Sequence, residues 1–273
     1  MTIDASFFGG SSPGQRALLG ISSVPDDAAV RRVGLLVCHA FSEERQMTYR
    51  SLYLFSQELA RDGVPSLRFD YGGTGDSEGE LADVTLDTMV NDTVCAAAEA
   101  RRRLGVDKLV LLGIRLGAVV AAAAAGRIPG IEALVLWNPI GQGKPYLRDL
   151  LRKEKIIRMG SPVRQDERFS LRPGHVEFDG ESLSPEMQDQ LRALDLPTAD
   201  LPTIPCLITG LATDKFEQEQ VAQLARRFGA LGIDPVCWTK EEREYWSSDS
   251  LYAEFHPVKT FDATLSFLRT IAG

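Results

Sequence analysis

Residues Lys108–Gly126 read KLVLLGIRLGAVVAAAAAG, and the folding of this stretch decides what surrounds it. The short apolar run before Gly113 suits a strand buried on both faces. The alanine-rich run after it suits a close-packed helix that stops at Gly126. Between them Gly113-Ile114-Arg115-Leu116-Gly117 leaves no room for a loop, so the strand turns directly into the helix. A turn of this kind that presents a serine nucleophile reads G-x-S-x-G. Here an arginine stands at the tip.

Working outward, short apolar runs alternate with helical patterns, the signature of a mostly parallel sheet covered by helices. ASFFGG and RALLGISSVP predict an opening antiparallel pair. VGLLVCHA (33–40) and SLRFD (66–70) predict buried strands, and the helix between them presents Tyr49, Leu52, Phe55 and Leu59 as its inward face before Gly63 stops it. A helix over about residues 85–104 precedes the opening stretch. ALVLWNP (133–139), PCLITG (205–210) and DPVCWTK (234–240) continue the strand series, and a last helix spans about 258–271. The series breaks once. The expected organisation is a first core part over 1–140, a lid insert over 141–202 and a second core part over 203–273. An insert at that place lies over the carboxyl edge of the sheet, where open α/β sheets bind ligands.

Composition excludes several classes. A hydrophobic share of 44% with 25% charged residues allows one sizeable core. The net charge of −8 argues against nucleic acid as a partner. No apolar run reaches the roughly 18 residues of a membrane span, and the N-terminus lacks signal-peptide features, so a cytoplasmic protein is expected. Cys38, Cys95, Cys206 and Cys237 lie in apolar runs without metal-ligand spacing, which predicts buried reduced thiols and no metal or cofactor. Charge is uneven: from Lys144 to Arg172 nine Lys/Arg stand against four Asp/Glu.

The segments VGLLVCHAFSEERQMTYR, SLRFDYGGTGDSEGE and LVLLGIRLGA, in this order, resemble the α/β-hydrolase fold. More closely they resemble the exosortase-associated hydrolase-like proteins, which commonly carry a Glu pair after the first central strand and an R-x-G-A elbow. WNPIGQGKPYLRDLLR, VEFDGESLSPEMQDQL and EREYWSSDS extend the resemblance over nearly the whole chain. It implies an α/β-hydrolase fold with a lid, and it implies positions for the parts of a catalytic site.

Those positions are only partly filled. Arginine has no lone pair to offer and stays protonated, so Arg115 cannot form an acyl-enzyme. It offers instead a planar fork of donors at a helix N-terminus, suited to a carboxylate, an enolate or a phosphate. Glu43 and Glu44, on the loop facing the elbow, are the expected ion-pair partners and the first candidate bases. Asp214 falls where the fold places its triad acid, or caps the following helix. His256 stands closer to the last helix than the fold's histidine, and is a third candidate base or a surface cap. His39 opens the loop that in this fold donates one oxyanion N–H, where it holds that loop or serves as an acid or base. The N–H groups of Phe41 and Leu116 form the expected oxyanion hole, while Asn138, Tyr146, Trp246 and their neighbours Trp137 and Tyr245 are expected to line the pocket if the lid docks over it, the aromatics for recognition or simply as packing.

The constellation stabilises developing negative charge without covalent capture. The function expected from it is an enzyme on a small acylated or carboxylated metabolite. Elimination of a carboxylate such as acetate, received by Arg115, is the leading chemistry, and hydrolase-type proteins of natural-product pathways that release acetate are similar. Ester cleavage by an activated water uses the same groups. The alternatives are a non-catalytic binding or accessory protein on a retired pocket, and an ordinary esterase with its nucleophile elsewhere, such as Ser42. The basic run Lys144, Arg148, Arg152, Lys153, Lys155, Arg158 would draw in an anionic substrate or an acidic carrier protein, or is a solvated helix face.

Overall fold

The computed structural model describes residues 1–10, 16–26, 32–160, 172–178, 181–211, 215–240, 242–247 and 256–272. In chain order the elements are β1 (Thr2–Gly9), β2 (Ala17–Val24), β3 (Val33–Cys38), α1 (Glu43–Arg61), β4 (Ser66–Phe69), α2 (Leu86–Leu104), β5 (Lys108–Ile114), α3 (Leu116–Ala125) and β6 (Ile131–Trp137). After these come α4 (Gly143–Gly160), β7 (Val176–Phe178), β8 (Glu181–Leu183), α5 (Pro185–Ala193), β9 (Cys206–Leu211), α6 (Lys215–Ala230), β10 (Val236–Lys240) and α7 (Val258–Ala272).

Eight strands form one sheet in the order β1-β2-β4-β3-β5-β6-β9-β10. β1, β2 and β4 pair antiparallel, and every pairing from β4 through β3 to β10 is parallel. This is the α/β-hydrolase architecture. The parallel strands are apolar at nearly every position because both faces are covered. On one face Leu35, Val37, Val110 and Val135 pack under Leu52, Phe55 and Phe261 of α1 and α7. On the other, Leu36, Leu111 and Leu134 pack under α2, α3 and α6.

The opening stretch folds as read. α3 is buried almost all round, which its small side chains permit. Glycine is required on both sides of the turn: a Cβ at Gly113 would overlap the backbone of Ala118, and one at Gly117 the carbonyls of Cys38 and His39. Arg115, between them, adopts φ 54 and ψ −119.

Two expectations differ. Tyr49 is 40% exposed, whereas Leu52, Phe55 and Leu59 are buried. At 100° per residue Tyr49 lies roughly 60–120° round the helix from the other three, on the flank of α1 toward β4, where Arg68 sits over its ring. The thiols also divide: Cys38 and Cys206 are buried, Cys95 is half-buried and Cys237 is exposed on the edge strand β10.

The insert between β6 and β9 holds α4, the β7–β8 hairpin and α5. It leaves and re-enters the core at one place, where Gly143 N–H donates to Leu194 and Leu196 N–H donates to Gly141. It is pinned to the α2 start by Leu86 N–H donating to Gln190 at 2.7 Å, and by Arg172 donating to Glu80 and Asp83. No described helix is long and apolar enough to cross a membrane.

Candidate active site

The carboxyl ends of β3, β5 and β6 converge, and each is followed by a residue with positive φ that is not glycine: Ser42 (55°), Arg115 (54°) and Asn138 (46°). Such backbone costs about 1–3 kcal/mol per residue and is held by its surroundings. At Arg115 the N–H donates to the Trp137 carbonyl, and the carbonyl accepts from Ala118. The side chain projects from the tip of the elbow, as the serine of a G-x-S-x-G turn would.

Its guanidinium is held from three directions. Nε donates to Glu44 Oε1 at 3.1 Å, with the two side chains 12% and 7% exposed. Nη1 donates to the backbone carbonyl of Asn138 at 3.3 Å. The Trp246 ring lies 4.5 Å from Cζ, within cation–π range. Each partner is itself fixed. Glu44 sits in the first turn of α1, and its Oε2 accepts from the Tyr146 hydroxyl at 3.1 Å. Burial, with Glu44 adding to it, holds that phenol well above its ordinary pKa, so Tyr146 stays a donor. The Asn138 side-chain oxygen accepts from Tyr245 at 3.2 Å, and Tyr245 meets Trp246 edge to face. β3–α1, the elbow, β6, α4 and the segment after β10 thus contribute to one cluster.

A cavity of about 190 Å³ opens beside it, lined in part by Glu44, Arg115, Ile140, Tyr146, Gln220 and Trp246. Asp149, Lys153 and Glu244 also border it, so two cations face three carboxylates. The volume is below that of a typical small-molecule site.

The expected site residues divide accordingly. Arg115, Glu44, Asn138, Tyr146 and Trp246 are brought together. Leu116 opens α3, so its N–H has no acceptor within the helix. Phe41 is buried in the loop after β3. His39 is buried beside it, and burial, with Arg45 and Arg68 nearby, holds the imidazole well below its usual pKa. A neutral, buried ring suits a loop-holding role. Glu43 is half-buried at the start of α1 and does not line the cavity. His256 is not brought to the cluster: its charge bears on Glu58, which lies fourteen residues, about 21 Å, along α1 from Glu44. Asp214 lies outside the described residues. Gln220, which sequence reasoning missed, accepts from Gly141 N–H at 2.6 Å and borders the cavity. Its signal was a glutamine one position before the buried Val221 of α6.

Among the described residues no group of three His, Cys, Asp or Glu side chains is placed to hold a metal ion. Solved structures share the fold across the chain. Est1E from Butyrivibrio proteoclasticus, solved with ferulic acid, superposes with a TM-score of 0.67 at 18% identity, covering 96% of this chain and 98% of its own. The Pyrococcus furiosus esterase PF2001 gives 0.68 at 14% identity, with coverage of 99% and 92%. Mouse alpha/beta hydrolase domain-containing protein 10 gives 0.61 at 15% identity, with 98% of each chain covered. No curated protein matches the sequence. The Hydrolase_4 family, described as serine aminopeptidase, S33, matches residues 32–226, and the chain belongs to that family of α/β-hydrolases.

Proposed function

We propose that the protein hydrolyses small acyl esters by activating a water molecule, without an acyl-enzyme at position 115. The observation that carries this is the Glu44–Arg115 pair at the cavity wall, a carboxylate and a guanidinium where the family places a nucleophile. Glu44 takes a proton from water and the hydroxide adds to the acyl carbon. The N–H groups of Phe41 and Leu116 hold the oxyanion. Collapse breaks the acyl C–O bond, and the proton on Glu44 passes to the departing alcohol. Arg115 orients Glu44 and places a fixed positive charge beside the developing oxyanion, while Tyr146 and Asn138 keep the pair in position. The chemistry asks for no cofactor or metal, nor for Glu43, Asp214 or His256.

Carboxylate elimination would use the same groups, with Glu44 removing a C–H proton and Arg115 receiving the departing anion. Hydrolysis is the better fit because Arg115 already donates to a carboxylate, which a leaving anion would have to displace. Lys144, Arg148 and Arg152 recur every fourth residue on α4 and are exposed. They would draw an anionic or acylated substrate toward the insert, which then acts as a lid, including one presented on an acidic carrier protein. One observation favours a non-catalytic binding protein instead: Arg115 is enclosed by Glu44, Asn138 and Trp246 as a structural ion pair would be.

p-Nitrophenyl acetate and butyrate test the choice, alongside a fluorophosphonate probe. Turnover without labelling is expected, and Glu44→Gln should lower kcat by about 10²–10⁴. Labelling of Ser42 or any other serine would restore the ordinary esterase and discard this mechanism, as would undiminished turnover in Glu44→Gln. A folded protein that turns over neither ester would favour the binding protein.

A further inference from the structure

β1 is an edge of the sheet: it pairs with β2, and among the described residues no strand pairs on its other side. Edge strands are ordinarily protected by Lys, Pro, a bulge or short length. TIDASFFG has eight residues, no Lys, no Pro and an unbroken register with β2.

The register also defines a face. Ile3, Ala5 and Phe7 stand opposite Ser23, Ile21 and Leu19, and Ile21 and Ser23 stand opposite Arg68 and Ser66 of β4. Ser66 and Arg68 in turn pair with Leu35 and Val37, which lie under α1. Ile3, Ala5 and Phe7 therefore point to the side of the sheet that carries α1, but beyond the reach of that helix. Ile3 is 45% and Phe7 60% exposed, and the nearest flank of α1 presents Tyr49 at 40% and Tyr53 at 39%. With Met1, these make five of the eight large hydrophobic side chains exposed among the described residues. Leu19 and Ile21, half-exposed, join the two groups into one apolar surface. Scattered exposed apolar residues need no explanation, but a contiguous set beside an open edge does.

We infer that β1 pairs antiparallel with β1 of a second copy of this chain about a two-fold axis, continuing the sheet through the dimer. An isologous contact requires the strand to be complementary to itself, and one register satisfies that. Centring the axis on Ala5 sets Ile3 against Phe7 of the second copy and Ala5 against Ala5, all on the apolar face. On the other face Asp4 then stands against Ser6, a hydroxyl that already donates to Asp4 within the chain at 3.0 Å. A shift that centres on Asp4 would set two carboxylates directly opposite, which is destabilising. A shift that centres on Ser6 would set Asp4 against Phe8.

Light scattering after gel filtration at tens of micromolar should give twice the chain mass of 29.9 kDa. Ile3→Lys with Phe7→Lys should give the single-chain mass with an unchanged circular dichroism spectrum, both side chains being exposed. Val236→Lys, on the opposite edge strand, should remain dimeric. Register is tested by Ala5→Cys in a Cys237→Ser background. Mild oxidation should cross-link it, because directly opposed residues in an antiparallel pair have Cα atoms about 4.5–5.5 Å apart. Ile3→Cys in the same background should not cross-link, since its counterpart lies beyond disulfide reach. A monomeric wild-type chain, a dimer that survives both lysines, or one lost in Val236→Lys would overturn the inference. A monomer that instead floats with phosphatidylcholine vesicles would assign the surface to lipid and overturn it equally.

Discussion

Replacing Glu44 by alanine removes the carboxylate from the Arg115 guanidinium at 12% exposure, with a backbone carbonyl and the Trp246 ring among the contacts that remain. Removing one partner of a buried pair costs about 3–5 kcal/mol. The contacts that remain argue for the lower end, about 3 kcal/mol. Arg115→Ala breaks the same bond from the other side and leaves Glu44 with the Tyr146 hydroxyl as donor, so about 3 kcal/mol is expected again. The double variant carries neither charge and should lose about 4 kcal/mol rather than the sum, a coupling of about 2 kcal/mol. At this chain length 1 kcal/mol corresponds to about 2 °C in Tm, so each single change should lower Tm by about 6 °C and the double by about 8 °C. Urea unfolding followed by circular dichroism, with calorimetry for Tm, measures the cycle. Single-variant losses that add within about 0.5 kcal/mol would show that Glu44 and Arg115 do not act on each other, and the site built around them would fall.

Gly117→Ala should abolish soluble expression or cost more than about 3 kcal/mol, because its Cβ meets the carbonyls of two residues at the end of β3 rather than a movable side chain; a normal melting curve would contradict this. His39 sets part of the acid limb of stability. Its folded pKa lies well below the ordinary 6.5, so the unfolded chain binds a proton first, and the stability present above about pH 6.5 is lost as pH falls toward the folded value. The slope approaches about 1.4 kcal/mol per pH unit for one proton below about pH 6.5, and His39→Asn should remove that contribution from urea titrations carried out below this pH. An unchanged slope would mean that the imidazole is charged in the folded protein.

The fold was legible because one short stretch allows few solutions. A doubly buried strand, two glycines flanking a single turn and an all-apolar helix leave little alternative to the elbow, and the other parallel strands announce themselves as apolar runs, whereas the short β7 and β8 of the insert gave no such signal. Half of the site was legible for the same reason: Arg115 and Asn138 directly follow strands whose ends must converge, and Glu44 opens the helix after a third. Tyr49 was misplaced because a spacing of three drifts about 60° round the helix at each step, and nothing local distinguishes a flank from a core position. His256 was left open between a base and a surface cap, because distance to the last helix says nothing of how α7 packs on α1; its charge bears on Glu58, away from the cluster. Gln220 gave little signal, since a glutamine amid polar neighbours declares no role until Gly141 is found donating to it.

The positive φ at Arg115 resembles a mark of function, yet the geometry assigns it to the fold. Gly113 lets α3 fold back on β5, and Gly117 lets α3 approach the end of β3, so closely that the residue between them must take this backbone whatever its side chain. Strain at the elbow therefore belongs equally to a working and a retired hydrolase. What it does not dictate is the company the side chain keeps. Glu44 comes from α1, Tyr146 from α4 and Trp246 from the segment after β10, and none is placed by the elbow's own packing. Burying an ion pair brings little net stability over apolar residues of similar size, so stability alone is a weak reason for three separate segments to converge on one guanidinium. A carboxylate held beside a cation at a cavity wall is a better one, and the weight of the functional assignment rests on Glu44 rather than on the arginine that first draws attention.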